Sequence, residues 1–291
     1  MKHKSTQRVL ARCFTLSLGL GLALTANAQL NNPNGIALDS SGNLWVANSG
    51  ANQVLELDPA NGVVLNTITE AISSPTRLAF SGDDLYVTNI GNNTVTVYSM
   101  LTLTLEKTIS NAAINRPMGV AVDAYGDVYI ADNSANNVIA LNIGGGLVET
   151  LTKDTSGYQF DAPGALAIHG QNIYAGFGPG SGENAVISFN VGEFLTGDPL
   201  AIRVYNDNVN TGPTGVAFDN SGDVWISEFY SGTAVKYAPS SSKKPVLVIS
   251  QDVGGPEGIA LDSSGNVYVS NSSLNTITVY NSSGTLINTL R

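Results

Sequence analysis

The sequence predicts an all-β fold: a six-bladed β-propeller with four antiparallel strands per blade, set behind an N-terminal signal peptide. Three observations carry this expectation. A pattern opened by Pro33, Pro75, Pro117, Pro163, Pro213 and Pro256 recurs at spacings of 42, 42, 46, 50 and 43 residues, close to the ~40–50 residues of one propeller blade. Each unit divides into four short runs of strand character separated by turn residues, with no helical periodicity. Before the first unit stands a short segment of a different kind.

That segment, residues 1–28, has a positive n-region (Lys2, Lys4, Arg8, Arg12) and an apolar stretch from Cys13 to about Thr25. It ends on Ala26-Asn27-Ala28, a small-x-small cleavage site before Gln29. This reads as a cleaved Sec-type signal, shorter in its apolar part than the ~20 residues of a membrane-spanning helix. The expected organisation is a signal over 1–28 and a propeller over 29–291, secreted or periplasmic and not membrane-spanning. The single cysteine, Cys13, lies in the signal. The propeller is therefore expected to have neither thiol nor disulfide, and to rest on its core alone. All 23 acidic residues but only nine of the 13 basic ones follow position 28, a net charge of −14. Such a domain repels phosphate backbones and anionic lipid, which excludes nucleic acid as a partner class.

Within a blade, strand A alternates small and large residues, as in Gly35-Ile36-Ala37-Leu38 and Gly258-Ile259-Ala260-Leu261. The innermost strands converge near the axis, so one side must be nearly bare while the other fills the space between blades. The A-to-B turn is Asp-x-x-Gly in four blades (Asp39, Asp123, Asp219, Asp262), where Asp caps the turn and Gly supplies a positive φ. It lacks the further carboxylates of a calcium loop. Strand B carries one aromatic per blade: Trp45, Tyr86, Tyr129, Tyr174, Trp225 and Tyr268. Each is expected to wedge against the next sheet. Asn52, Asn93, Asn136, Asn184 and Asn275 directly precede strand C and are expected to hold the B-to-C turn. Blade 6 ends on its own strand D, so closure of the ring is expected to rest on packing between blades 1 and 6, without a borrowed strand.

The pattern Pro-x-Gly-[Ile/Val]-Ala-x-Asp-x-x-Gly-x-[Trp/Tyr] resembles the NHL repeat over nearly all of residues 29–291. Blade 2, with Leu85 to Ser99, also resembles the Tyr-Val-Thr-Asn repeat of cell-surface propellers. The pattern is similar, more distantly, to streptogramin lyases and gluconolactonase-type hydrolases. The resemblance implies the propeller architecture and leaves activity open, since such folds host binders, lyases and lactonases alike.

Strand B ends and strand A starts share one face, because successive strands run antiparallel. The strand B ends are Asn48, Asn89, Asp132, Phe177, Glu228 and Asn271; the variable Pro-x-Gly positions are Asn34, Thr76, Met118, Gly164, Thr214 and Glu257. Blades 4 and 5 depart most from the repeat on this face. Phe177 is followed by a Gly-rich loop through Glu183, Glu228-Phe229-Tyr230 replaces small polar residues, and the loop into blade 4 adds Tyr158 and Phe160. Aromatics grouped with a carboxylate suggest a binding patch for a glycan or peptide. Arg77 stands where other blades carry Gly or Ala, facing the axis. It is expected to pair with Asp132, Glu228 or Glu257, or else to meet an anionic ligand.

Catalytic chemistry finds little footing. One histidine, His169, follows the signal, and it falls at the A-to-B turn on the opposite face. The resemblance to streptogramin lyases implies histidines with a glutamate and a divalent metal, which that face lacks. A His-rich zinc site and a thiolate site are excluded with it. No Gly-x-Ser-x-Gly elbow is present. An oxygen-ligand site for Ca²⁺ remains, as lactonase-like propellers imply, drawing on Glu257, Asn34, Asn48, Asn89, Asp132, Glu228 and Asn271. The reading is thus a non-catalytic binding or scaffold propeller without cofactor, engaging a protein, peptide or glycan. The alternative is a Ca²⁺-dependent lactonase or lyase at the channel mouth.

Overall fold

The computed structural model describes residues 29–153, 157, 159–177, 185–196, 202–205, 211–239 and 244–291. They form six four-stranded antiparallel sheets, each built from strands consecutive in the chain. In blade 1 the strands are Pro33–Leu38, Leu44–Asn48, Gln53–Leu57 and Val64–Ile68, here A to D. The other strands A are Pro75–Ser81, Pro117–Val122, Pro163–His169, Pro213–Phe218 and Pro256–Leu261, each opening on the proline that marks the repeat. In every blade the A–B register slips within or beside the Pro-x-Gly step. A bulge of this kind re-aims one side chain and bends the strand.

The hydrophobic core lies between blades. Six clusters each join one sheet to the next, blade 1 to 2, 2 to 3, and so on around to 6 and 1. The strand B aromatics are the wedges expected of them. Trp45 packs among Leu78 and Leu85 of blade 2, Tyr129 among Phe177 and Phe189 of blade 4, and Trp225 among Val267 and Val269 of blade 6. In the four blades with an Asp turn the polar edge turns back to it. The Trp45 indole N–H donates to Asp39 Oδ2 at 3.0 Å, and the Tyr129 hydroxyl to Asp123 Oδ2 at 3.2 Å. Burial, reinforced by the Asp262 charge, pushes the Tyr268 phenol up to about 12. At the axis the approach is so close that a Cβ at Gly35 would lie 2.6 Å from the Thr76 carbonyl oxygen, and one at Gly258 would lie 2.8 Å from that of Asn34. These positions must be bare.

Asparagines tie consecutive blades together. Asn52, Asn93, Asn136 and Asn275 sit in the left-handed region. Their side chains reach past their own turn and accept the backbone N–H of Ser74, Arg116, Ala162 and Asn32 in the following blade, at 2.7 to 2.9 Å. Asn184 lies outside the described residues. The last of these ties, Asn32 to Asn275, joins blade 6 to blade 1. With the cluster of Ile36, Val46, Tyr268 and Val279 it closes the ring, and among the described residues no strand is exchanged. Blade 4 adds one element that the strand pattern did not show, the short helix α1 (Val191–Leu195) between strands C and D. Asn190 caps it by accepting from Gly192 and Glu193, and Phe194 anchors it against Tyr129.

Candidate binding site at the channel mouth

The strand B ends and the Pro-x-Gly residues do share a face, but their side chains have separate tasks. Asn48, Asn89, Asp132 and Asn271 are fully buried and do not meet around the axis. Each accepts the backbone N–H of the residue two before its own blade's proline. Asn31 and Ser73 donate to Asn48 and Asn89 at 2.7 and 3.0 Å, Gly254 to Asn271 at 3.0 Å, and Asn115 to Asp132. They lock the loop into strand A. In blades 2 and 6 the amide also donates across to strand C, Asn89 to Thr96 and Asn271 to Thr278, both at 2.9 Å. Asp132 has no such donor to offer. Burial raises its carboxyl above the ordinary range, and the backbone N–H groups of Asn115, Ala135 and Ser134 only partly offset this. Glu228 is likewise buried, and its Oε2 accepts from the hydroxyls of Ser231 and Thr233 at 3.0 and 2.8 Å.

Arg77 crosses the axis. The residue is 8% exposed, and its guanidinium donates from Nη1 to Asn34 Oδ1 of blade 1 (2.6 Å) and to the Thr76 carbonyl (3.0 Å). From Nη2 it donates to the Thr214 carbonyl of blade 5 (2.7 Å) and to Glu257 Oε2 of blade 6 (3.1 Å). The acid partner is thus Glu257, not Asp132 or Glu228. The side chain separates a narrow channel of about 60 Å³ beneath it from an open cavity of about 360 Å³ above.

That cavity is off-centre. Arg77 and Glu257 floor it, and Met118, Gly164, Thr214, Phe229 and Tyr230 wall it on the side of blades 3 to 5. It exists because the ring position of blade 4 is Gly164: a Cβ built there would meet nothing within 4 Å. Phe229 and Tyr230 are held by their backbone N–H groups, which donate to Gly212 and Thr211 at 2.9 Å. Their rings meet edge to face at 5.3 Å, and Tyr230 is 60% exposed. Two aromatics expected in this patch are elsewhere. Phe160 and Phe177 meet in a tilted contact at 5.1 Å in the core between blades 3 and 4, where they fill the space beside Phe189. Tyr158 and the loop after Phe177 lie outside the described residues. Met118, Gly164 and Thr214 stood in the predicted ring without being singled out. An empty position among side chains is the signal that could have marked Gly164. His169 lies at the far end of its strand, stacked on Phe218 at 4.4 Å.

The oxygen donors read as a metal site do not fit one. Arg77 already holds Asn34 and Glu257, its positive charge sits at the axis, and Asn48, Asn89, Asp132 and Asn271 are bound to backbone N–H groups. No group of three or more His, Cys, Asp or Glu side chains suited to a metal occurs among the described residues.

Residues 18–91, which include blade 1 and the first half of blade 2, match the SMP-30/Gluconolactonase/LRE-like region. No curated protein sequence matches the chain. Among solved structures, virginiamycin B lyase from Staphylococcus aureus superposes with a TM-score of 0.66 at 14% identity, over 90% of this chain and 86% of the lyase. A chain of the nidogen/laminin complex does so with a TM-score of 0.67 at 16% identity, over 82% of this chain and 89% of that one. Hydrazine synthase from Kuenenia stuttgartiensis gives 0.62 at 16% identity, over 92% and 89%. The chain is thus a six-bladed β-propeller of the fold these structures share, similar in its first blade and a half to the SMP-30/gluconolactonase/LRE-like region.

Proposed function

We propose that the propeller is a non-catalytic binding module that takes a protein, peptide or glycan segment into the cavity over Arg77 and Glu257. The observation that carries this reading is the cavity itself, opened by Gly164 and bordered by the exposed ring of Tyr230. Exposed aromatics beside a pocket are where recognition energy concentrates. The nidogen/laminin structure supports a protein-binding use of the fold by analogy. We read residues 1–28 as a secretory signal, which places the module in the periplasm or outside the cell. N-terminal sequencing of the exported protein is expected to begin at Gln29.

The test is to probe peptide and glycan arrays with the purified propeller, then repeat with Gly164→Leu and Tyr230→Ala. Strand φ at Gly164 is ordinary and the space is open, so the leucine variant is expected to keep its thermal stability while losing array binding about tenfold or more. Unchanged binding by both variants would reject the site. The match to the SMP-30/gluconolactonase/LRE-like region favours a second reading, a Ca²⁺-dependent lactonase or lyase. The hydrogen bonds that hold Asn34, Glu257 and the strand B ends weigh against it. A thermal-shift comparison with and without chelator separates the two: chelator-sensitive stability would favour the enzyme.

A further inference from the structure

On the opposite face the repeat is broken three times at one place. In the Asp-x-x-Gly turns of blades 1, 5 and 6 the residue before glycine is Ser41, Ser221 or Ser264. In blade 3 it is Tyr125, which is 84% exposed. Blade 4 replaces that turn with a tight hairpin in which His169 pairs with Asn172, leaving room beside it. It is also the blade that inserts α1. The three departures enclose one crevice of about 440 Å³, lined by Tyr125, Ile168, Gln171, Val191, Leu195 and Asp123.

Charge distinguishes this spot from its nearest repeat. Blades 3 and 5 alone carry an acid at both ends of the turn, Asp123 with Asp127 and Asp219 with Asp223. In blade 5, Lys236 of strand C bridges the pair, 3.0 Å from Asp219 and 2.7 Å from Asp223. Lys236 lies opposite Trp225 in the ladder; the matching pair in blade 3 is Ala140 opposite Tyr129. Phe194 of α1 meets Tyr129 edge to face there. Among the described residues, no lysine or arginine forms an ion pair with Asp123 or Asp127. Burial, with the Asp123 charge, raises the Asp127 carboxyl. The acid pair is present and its cation is missing.

We propose that this crevice is a second binding site, for a basic peptide segment that seats an apolar side chain against Ile168, Val191 and Leu195 and sets a Lys or Arg beside Asp123 and Asp127. The incoming cation takes the role Lys236 plays in blade 5. An organic cation fits better than Ca²⁺, which asks for six to eight oxygens. Asp123 already accepts from Tyr125 and Asp127 N–H and from the Tyr129 hydroxyl. Tyr125 supplies the aromatic cover, and the acidic chain steers a cationic partner towards it.

The test uses two rhodamine-labelled peptide amides, Gly-Leu-Phe-Lys-Arg-Gly and the same peptide with both basic residues replaced by Gln, titrated by fluorescence anisotropy at low salt. The basic probe is expected to bind with Kd below about 1 mM, and the Gln probe about tenfold more weakly. Tyr125→Ser and Asp127→Asn, which restore residues found in the same turn of other blades, are each expected to weaken the basic probe about tenfold. Gly164→Leu, on the other face, is expected to leave it unchanged. Absence of binding by the basic probe, equal binding of the two probes, or full binding by both turn variants would overturn the proposal.

Discussion

Arg77→Met is the most informative single change. It removes a buried cation that joins blades 1, 2, 5 and 6 through four hydrogen bonds of 2.6 to 3.1 Å. It also leaves Glu257, its side chain only 16% exposed, without its counter-charge. Breaking a buried pair from one side costs about 3–5 kcal/mol, most of it the penalty of the stranded charge. The lower end applies here, because Glu257 keeps some contact with water. About 3 kcal/mol corresponds to a fall in Tm of roughly 6–12 °C for a domain of this size. Urea denaturation at pH 7, paired with a thermal melt, reads both. The partner variants are Glu257→Leu and the double Arg77→Met/Glu257→Leu. Because an apolar pair strands no charge, the double variant is expected to recover at least half of the Arg77→Met loss. If Arg77→Met costs less than about 1 kcal/mol, or if the two single losses simply add to within about 0.5 kcal/mol, the pair is not the strut described here.

Other outcomes follow from the same geometry. Asn93→Ala loses the bond to Arg116 and forces alanine to a φ of 57°; it is expected to cost about 2–3 kcal/mol, and Asn93→Gly about 1 kcal/mol less, in paired urea melts. Asp132→Asn removes a carboxylate that burial keeps above its ordinary pKa. A raised folded-state pKa means stability is lost as pH climbs through it, so the variant should be more stable than the parent at pH 7, with the gain vanishing near pH 4. A melt series across that range showing no gain at neutral pH would contradict the assignment. At Asp219 burial pushes the carboxyl up, but Lys236 and the N–H groups of Asp223, Ser221 and Trp225 prevail and hold it below the usual range. A depressed pKa stabilises above the unfolded value and is lost as pH falls, so Lys236→Met is expected to destabilise at pH 7 and progressively less below about pH 4.

The architecture was legible because a propeller repeats its instructions. The six prolines open the six strands A, the Asp-x-x-Gly turns have their glycines at positive φ, and the strand B aromatics are the wedges between sheets. Side-chain direction within the ring was not legible. Asn48 and Asn34 belong to the same face by strand counting, yet the bulge at Pro-x-Gly sends Asn34 to the axis while Asn48 turns back to its own loop. Phe160 and Phe177 looked like surface aromatics because the loops around them are irregular, and burial followed from the neighbouring blade, which a linear reading does not place. Helix α1 is a single turn, too short to show a 3.6-residue period. The acid that meets Arg77 was narrowed to three carboxylates by sequence. The choice of Glu257 rests on the convergence of the strands A at the axis, which brings together two residues 180 positions apart.

The asparagine ties have a consequence for how the ring can come apart. Where a propeller completes its last sheet with a strand from the other terminus, that sheet is a privileged clasp. Here the 6-to-1 joint is made as the 1-to-2, 2-to-3 and 3-to-4 joints are, by one interblade cluster and one asparagine reaching to the next loop. A circular permutant cut ahead of Pro75, Pro117 or Pro163 would therefore open a joint of the same make, with only the position of the covalent break moved. Hydrogen exchange in such permutants would show opening that follows the cut around the ring.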